Sequence, residues 1–144
     1  MKTIALILSL AALAFAGAAN AQQYLQTSVY AQGTNAIAAN ATVTPNVTVP
    51  VTKNSAIGIQ VSTSSSAGAA GNVVTSFQRS VDGVTWETTP SLTMTNAVSG
   101  TNNVATVTST TTGGVGFLRL NTIASSANGS LTNTAVQVTR KAGF

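Results

Sequence analysis

Asp82 and Glu87 are the only acidic side chains in this chain, and it contains no histidine and no cysteine. Ser–His and Cys–His nucleophile arrangements, thiolate metal sites and disulfides are therefore all excluded by residue type. Paired-carboxylate hydrolysis needs two acids flanking a substrate bond, about 5–10 Å apart. Asp82 precedes Gly83 in a turn and Glu87 follows on the same hairpin, a poor arrangement for that task. Two carboxylates with backbone carbonyls are also too few to hold a divalent cation. The stretches TTGGVG and SAGAAG carry glycines but lack the lysine and helix start of a phosphate cradle. The residues thus predict no catalytic group, no metal and no cofactor.

The segment RSVDGVTW, residues 79–86, gathers what polar and aromatic character the chain has. Asp-Gly between alternating apolar residues is a strong hairpin signal. Gly83 supplies a positive φ, Asp82 accepts nearby N–H groups, and Ser80 bonds to the same turn. With a two-residue loop, Val81 faces Val84, Ser80 faces Thr85, Arg79 faces Trp86 and Glu87 faces Gln78. Phe77, Val81, Val84 and Trp86 then share one side, with Arg79 beside the indole at a gain of about 0.5–1 kcal/mol. A three-residue loop with Gly83 in a bulge shifts that pairing by one. Trp86 reads first as a cover for apolar surface and second, with Arg79, as a contact surface. Arg119, in VGFLRLNTI, falls on the face opposite Leu118 and Leu120. It is expected to lay its stem over the sheet, with a pairing to Asp82 or Glu87 as the alternative.

The elements that must position this cluster are strands. Val47, Val49 and Val51 alternate with polar residues, as do Ile57, Ile59 and Val61, and a turn is expected near Lys53-Asn54. Pro50 confines the first of these to an edge or a bulge. Residues 62–72, STSSSAGAAGN, read as a flexible loop. Further strands are expected in YLQTSVY, NAIAANATVT, VVTSFQRSV, VTWETT, SLTMT, VATVTST, VGFLRLNTI and LTNTAVQVTRK, with NAVSGTNN, TTGG and ASSANGS as connections. Once the first residues are set aside, no stretch shows helical periodicity. About eight short strands with turn residues between them predict an all-β, antiparallel β-sandwich or jelly roll.

The chain opens with Lys2, an apolar run from Ile4 and the exit Ala19-Asn20-Ala21, the three parts of a secretory signal peptide. Cleavage after Ala21 leaves residues 22–144 as one β-sandwich domain, with no membrane span remaining; an uncleaved anchor is the alternative. The bases, Lys2, Lys53, Arg79, Arg119, Arg140 and Lys141, are scattered, and the high pI reflects few acids more than many bases. A nucleic-acid face would cluster bases among aromatics, so nucleic acid is not expected as a partner. Asn40, Asn46 and Asn128 begin Asn-x-Ser/Thr triplets, which matter only in a glycosylating host.

The pattern S-x-D-G-x-x-W, here Ser80-Val81-Asp82-Gly83-Val84-Thr85-Trp86, is followed later by Gly116-Phe117-Leu118-Arg119-Leu120. It resembles β-sandwich modules of tailed bacteriophages, among capsid-decoration and tail-associated proteins. It is similar, more distantly, to discoidin-like carbohydrate- or lipid-binding domains, whose first half is richer in aromatics and charge. The first resemblance implies a structural subunit of a virion or other extracellular assembly, partnered by itself or another structural protein. A secreted carbohydrate-binding or adhesive module using Trp86, with Arg79 and Tyr24 or Tyr30, is the second reading. A filament former whose strands pair edge to edge is the third.

Overall fold

Period-two alternation of β-branched residues folds this chain into two stacked antiparallel sheets. A computed structural model describes residues 24–31, 36–51, 56–101 and 104–141; the expected signal peptide, residues 1–21, and the expected turn at Lys53-Asn54 lie outside them. Among the described residues there are nine strands: β1 (Tyr24–Ala31), β2 (Thr42–Val43), β3 (Val47–Pro50), β4 (Ala56–Ser65), β5 (Ala70–Ser80), β6 (Leu92–Ser99), β7 (Val104–Thr111), β8 (Phe117–Ser125) and β9 (Leu131–Lys141). The first sheet runs β1-β9-β4-β7 and the second β2-β8-β5-β6, with β3 also pairing with β8. The protein is an all-β antiparallel sandwich.

The core follows directly from the alternation. Ile57, Ile59 and Val61 of β4, with Val136 and Val138 of β9, form one inner face. Val73 and Phe77 of β5, Met94 and Val98 of β6, and Leu118, Leu120 and Ile123 of β8 form the other. Each such side chain contributes about 1.5–3 kcal/mol by leaving water. The register places Phe77 opposite Leu120, Gln78 opposite Arg119 and Ser80 opposite Phe117. Phe77 thus points inward, while Gln78, Ser80, Phe117 and Arg119 share the outer face.

Towards one end the core turns polar. Thr63 of β4 faces Thr134 of β9, and the Asn96 amide of β6 crosses to donate to the Val61 carbonyl at 2.9 Å. The hydroxyls of Thr63, Thr75 and Thr134 are buried without a partner among the described residues. Val47, Val49 and Val51 do not pair with Ile57, Ile59 and Val61, because β3 joins the second sheet and β4 the first. Pro50 sits on an outer strand, as its missing N–H demands. The Arg140 guanidinium donates to the Pro50 carbonyl, so this base links β9 to β3. Asn40 and Asn46 have positive φ of 54° and 52°, turn conformations that asparagine tolerates.

Three expectations are corrected here. Residues 62–72 are not a loop: β4 continues to Ser65 and β5 begins at Ala70. Their small side chains reflect close backbone approach instead. A Cβ on Gly71 would lie 2.6 Å from the Ala127 Cα, and one on Gly129 would lie 2.6 Å from the Ala69 Cβ. The segment NAVS is not a turn but the end of β6, and VTWETT forms no strand, since residues 81–91 are a loop.

Two stability changes are expected. Gly71 has φ +145° as well as the Ala127 contact, so Gly71→Ala should cost roughly 2–4 kcal/mol in urea denaturation. Thr134→Val removes an unpartnered hydroxyl at nearly constant volume and should raise stability by about 1 kcal/mol. A stabilised Gly71→Ala or a destabilised Thr134→Val would contradict this packing.

Candidate functional site

After Ser80 the chain leaves the sheet, runs through residues 81–91, and re-enters as β6, whose Leu92 pairs with Phe77. This loop folds back onto the outer face of β8. The Asp82 Oδ1 accepts from the Ser80 hydroxyl at 2.8 Å and from the N–H groups of Val84 at 2.9 Å and Thr85 at 2.8 Å. The Gly83 N–H donates to the Ser80 Oγ at 2.9 Å. Gly83, at φ +78°, lies on the Phe117 ring, where a Cβ would approach to 3.2 Å. The Gly116 N–H in turn donates to the Ser80 carbonyl at 3.0 Å. Only a glycine there combines the turn with the close approach to the ring.

Beyond the turn, Trp86 and Glu87 fasten the loop on two sides. The Arg119 guanidinium lies over the Trp86 ring, 4.4 Å from its centroid, and donates to the Gln78 Oε1. The Gln78 amide donates to the Glu87 carbonyl at 2.8 Å. Glu87 takes the place of a strand partner for Arg79: its Oε2 accepts from the Arg79 N–H at 3.0 Å, and its own N–H donates to the Arg79 carbonyl at 3.2 Å. Its Oε1 accepts from the Arg79 Nε at 3.0 Å and pairs with Nη2 at 2.9 Å. On the inner side, Arg79, Leu92, Thr110, Val115 and Leu118 line a depression where the sandwich ends.

Both carboxylates are stabilised in their charged form. The Val84 and Thr85 N–H groups, then the Ser80 hydroxyl, hold Asp82 well below the usual carboxylate range. Partial burial pushes Glu87 up, but bonds from the Arg79 and Ser91 side chains and the Arg79 backbone outweigh it and leave it lowered. A carboxylate so held accepts hydrogen bonds and does not deliver protons near neutral pH. Among the described residues no group of three His, Cys, Asp or Glu is placed to hold a metal.

No known protein-family description matches this chain, and no curated protein does. Solved structures do. A protein of infectious bursal disease virus, Gt strain, superimposes with a TM-score of 0.50 at 12% identity, over 85% of this chain and 34% of that one. The VP2 subviral particle of the same virus gives 0.48 at 12%, over 83% and 32%. A chain of the disulfide-linked pili of Bacillus endospore appendages gives 0.37 at 16%, over 88% and 95%. The chain spans about a third of the length of the viral chains it matches. The likeness is one of fold, a jelly-roll sandwich.

The loop gathers Ser80, Asp82 and Gly83 into one turn but separates Arg79 from Trp86. The two-residue hairpin is overturned: residues 84–89 form no strand, and they meet β5 through Glu87, which bonds to Gln78 and to the Arg79 backbone beyond the end of β6. Arg119, not Arg79, covers the indole, and Arg79 binds Glu87. Val81 and Val84 are 63% and 81% exposed and share no buried face with Phe77. Arg119 pairs with neither acid. Gln78, named in the sequence reading only as the residue facing Glu87, is buried between Arg119 and Glu87 and bonds to both, a role that nothing in the sequence signals.

Acid should release this loop before the sheets. Both pKa values are depressed on folding, so the stabilisation is complete above about pH 4–5 and is lost as pH falls through the folded values. The chain has one tryptophan, so its emission reports the change directly. On acidification below about pH 4 the Trp86 emission should shift while the far-ultraviolet β signal persists. Asp82→Asn should show a shifted emission already at neutral pH and a smaller change in acid. An acid profile identical to wild type would refute this role for Asp82.

Proposed function

We propose that this chain is an exported, non-catalytic structural subunit that works by assembly. In this reading it belongs to a virion, in the manner of capsid-decoration or tail-associated modules, or to another extracellular surface assembly. The observation that carries the reading is how the surface is made. Both carboxylates are spent fastening residues 81–91, and the outer face of the first sheet at β4 and β7 carries no charged side chain. Gly58, Gln60 and Ser62 of β4 stand beside Ser109, Val107 and Ala105 of β7 in that register. Faces so poor in charge repel their own copies weakly, which favours association. The jelly-roll fold and the Ser80–Trp86 pattern support the virion form of this reading, and the signal-like N-terminus supports the exported form.

The sugar-binding alternative needs an open aromatic face at Trp86 with Arg79 beside it. Arg119 occupies one face of the indole and Glu87 engages Arg79, so the arrangement favours assembly over stacking on a glycan.

Light scattering after size-exclusion chromatography, with negative-stain images at rising concentration, tests the proposal. The expected result is a mass above one chain that grows with concentration, or attachment to a particle. A strictly monomeric protein at the highest attainable concentration, attaching to nothing, would overturn it.

A further inference from the structure

The outer strands of the sandwich are not equally protected against pairing. On one flank, β1 changes register between Ser28 and Tyr30, a bulge in the edge. Its neighbour across the gap, β3, carries Pro50, and β2 is only two residues long. Bulges, prolines and short strands are the devices by which proteins keep sheet edges from adding foreign strands. The other flank has none of them. There β6 and β7, each eight residues long, pair among the described residues only with β5 and β4 respectively. Both keep unbroken register, and LTMTNAVS and VATVTSTT contain no charge, proline or glycine. In each strand every second residue directs its backbone N–H and C=O away from its single partner.

β6 and β7 are consecutive, lie in different sheets and pack against each other across the sandwich gap. One two-fold axis normal to the sheets therefore serves both edges at once. It sets β7 antiparallel to β7 of a second copy and β6 antiparallel to β6, so that each sheet continues across the junction. Such an isologous contact places residues opposite themselves or near neighbours, and any charge close to the axis would meet its own sign. The absence of charge on both strands is what this geometry requires. We infer that the β6–β7 flank is the self-association surface of this protein, closing a symmetric dimer through two antiparallel edge pairs. The inference rests on the assembly reading above and names the surface through which it begins.

The faces of paired strands must match, so Val107 of one copy opposes Val107, Ala105 or Ser109 of the other. Val107 is 69% exposed, and Ala97 of β6 is exposed as well, so both positions accept a charge without disturbing the core. Sedimentation of the purified full chain is compared for wild type, Val107→Lys with Ala97→Lys, Val107→Glu with Ala97→Glu, and an equal mixture of the two variants. Circular dichroism confirms that each is folded. The expected result is a wild-type dimer or larger species, a fall of each charged variant to about half the dimer mass, and recovery of the dimer in the mixture, where opposite charges meet. Charged variants that keep the wild-type mass would overturn the β6–β7 assignment while leaving the assembly reading intact. Loss without recovery on mixing would overturn the two-fold pairing in favour of another partner strand. A monomeric wild type would remove both readings.

Discussion

The packing of Ile57, Ile59 and Val61 on β4 against Val73 and Phe77 on β5 and their neighbours carries the rest of the structure. With no cysteine in the sequence and few charges, no covalent link and, among the described residues, no ion pair joins the two sheets. Their separation is set by apolar side chains that interdigitate from both inner faces, about 10 Å apart. β4 and β5 are central strands of their sheets, each flanked on both sides. β7 and β6 pair with them directly, and β1, β2 and β3 are joined to them through β9 and β8. The polar end of the core marks where this packing gives way: Thr63, Thr75 and Thr134 have the shape of valine with a hydroxyl that the site does not satisfy. Stability is surrendered there, while Asn96, reaching the Val61 carbonyl, ties one sheet to the other and fixes their relative position.

The loop of residues 81–91 inherits its position from β5 and β8. Because Gln78 and Arg119 are direct neighbours on the outer face, Arg119 is held where an aromatic ring can lie beneath it. Because β6 pairs with β5 no further than Leu92 and Phe77, the Arg79 backbone is left open, and Glu87 closes it. The two acids thus perform backbone work. Asp82 substitutes for missing turn partners, and Glu87 for a missing strand. A carboxylate serves such places well because it accepts several hydrogen bonds at once and strengthens each by its charge. The same engagement that stabilises the charged form withdraws these groups from acid–base chemistry.

Much of the fold was legible in the sequence because a buried sheet face imposes a period of two. Ile57, Ile59 and Val61, or Leu118 and Leu120, declare their face without any knowledge of their partners. Pro50 declared an outer strand for the same local reason. What the sequence did not carry was pairing. Asp82-Gly83 has the composition of a tight hairpin, and locally it is a turn; but the strand that β5 pairs with on the side of this loop is β6, from Leu92 onward, and residues 84–89 meet β5 through Glu87 without forming a strand. The error over Trp86 followed from that one misassignment. The small residues of 62–72 misled in a different way. Flexibility and tight backbone contact select the same residue types, and only the proximity of Gly71 to Ala127 distinguishes them.

Edge chemistry completes the picture. A sandwich of two open sheets has edges on both flanks, and a chain with few charges has few means of guarding them. Here the guards present are conformational, a bulge in β1 and the proline of β3, and they fall on one flank. Had β6 and β7 been left bare by composition alone, the other flank would be equally bare. The inner positions of β7, Thr106, Thr108 and Thr110, are threonines left half-exposed, where β4 and β9 bury isoleucine and valine. Threonine at such positions tolerates both water and a covering strand, which suits an edge that is open in the monomer and closed in the pair. The unequal flanks therefore connect the sparse charge of the sequence to a single pairing surface.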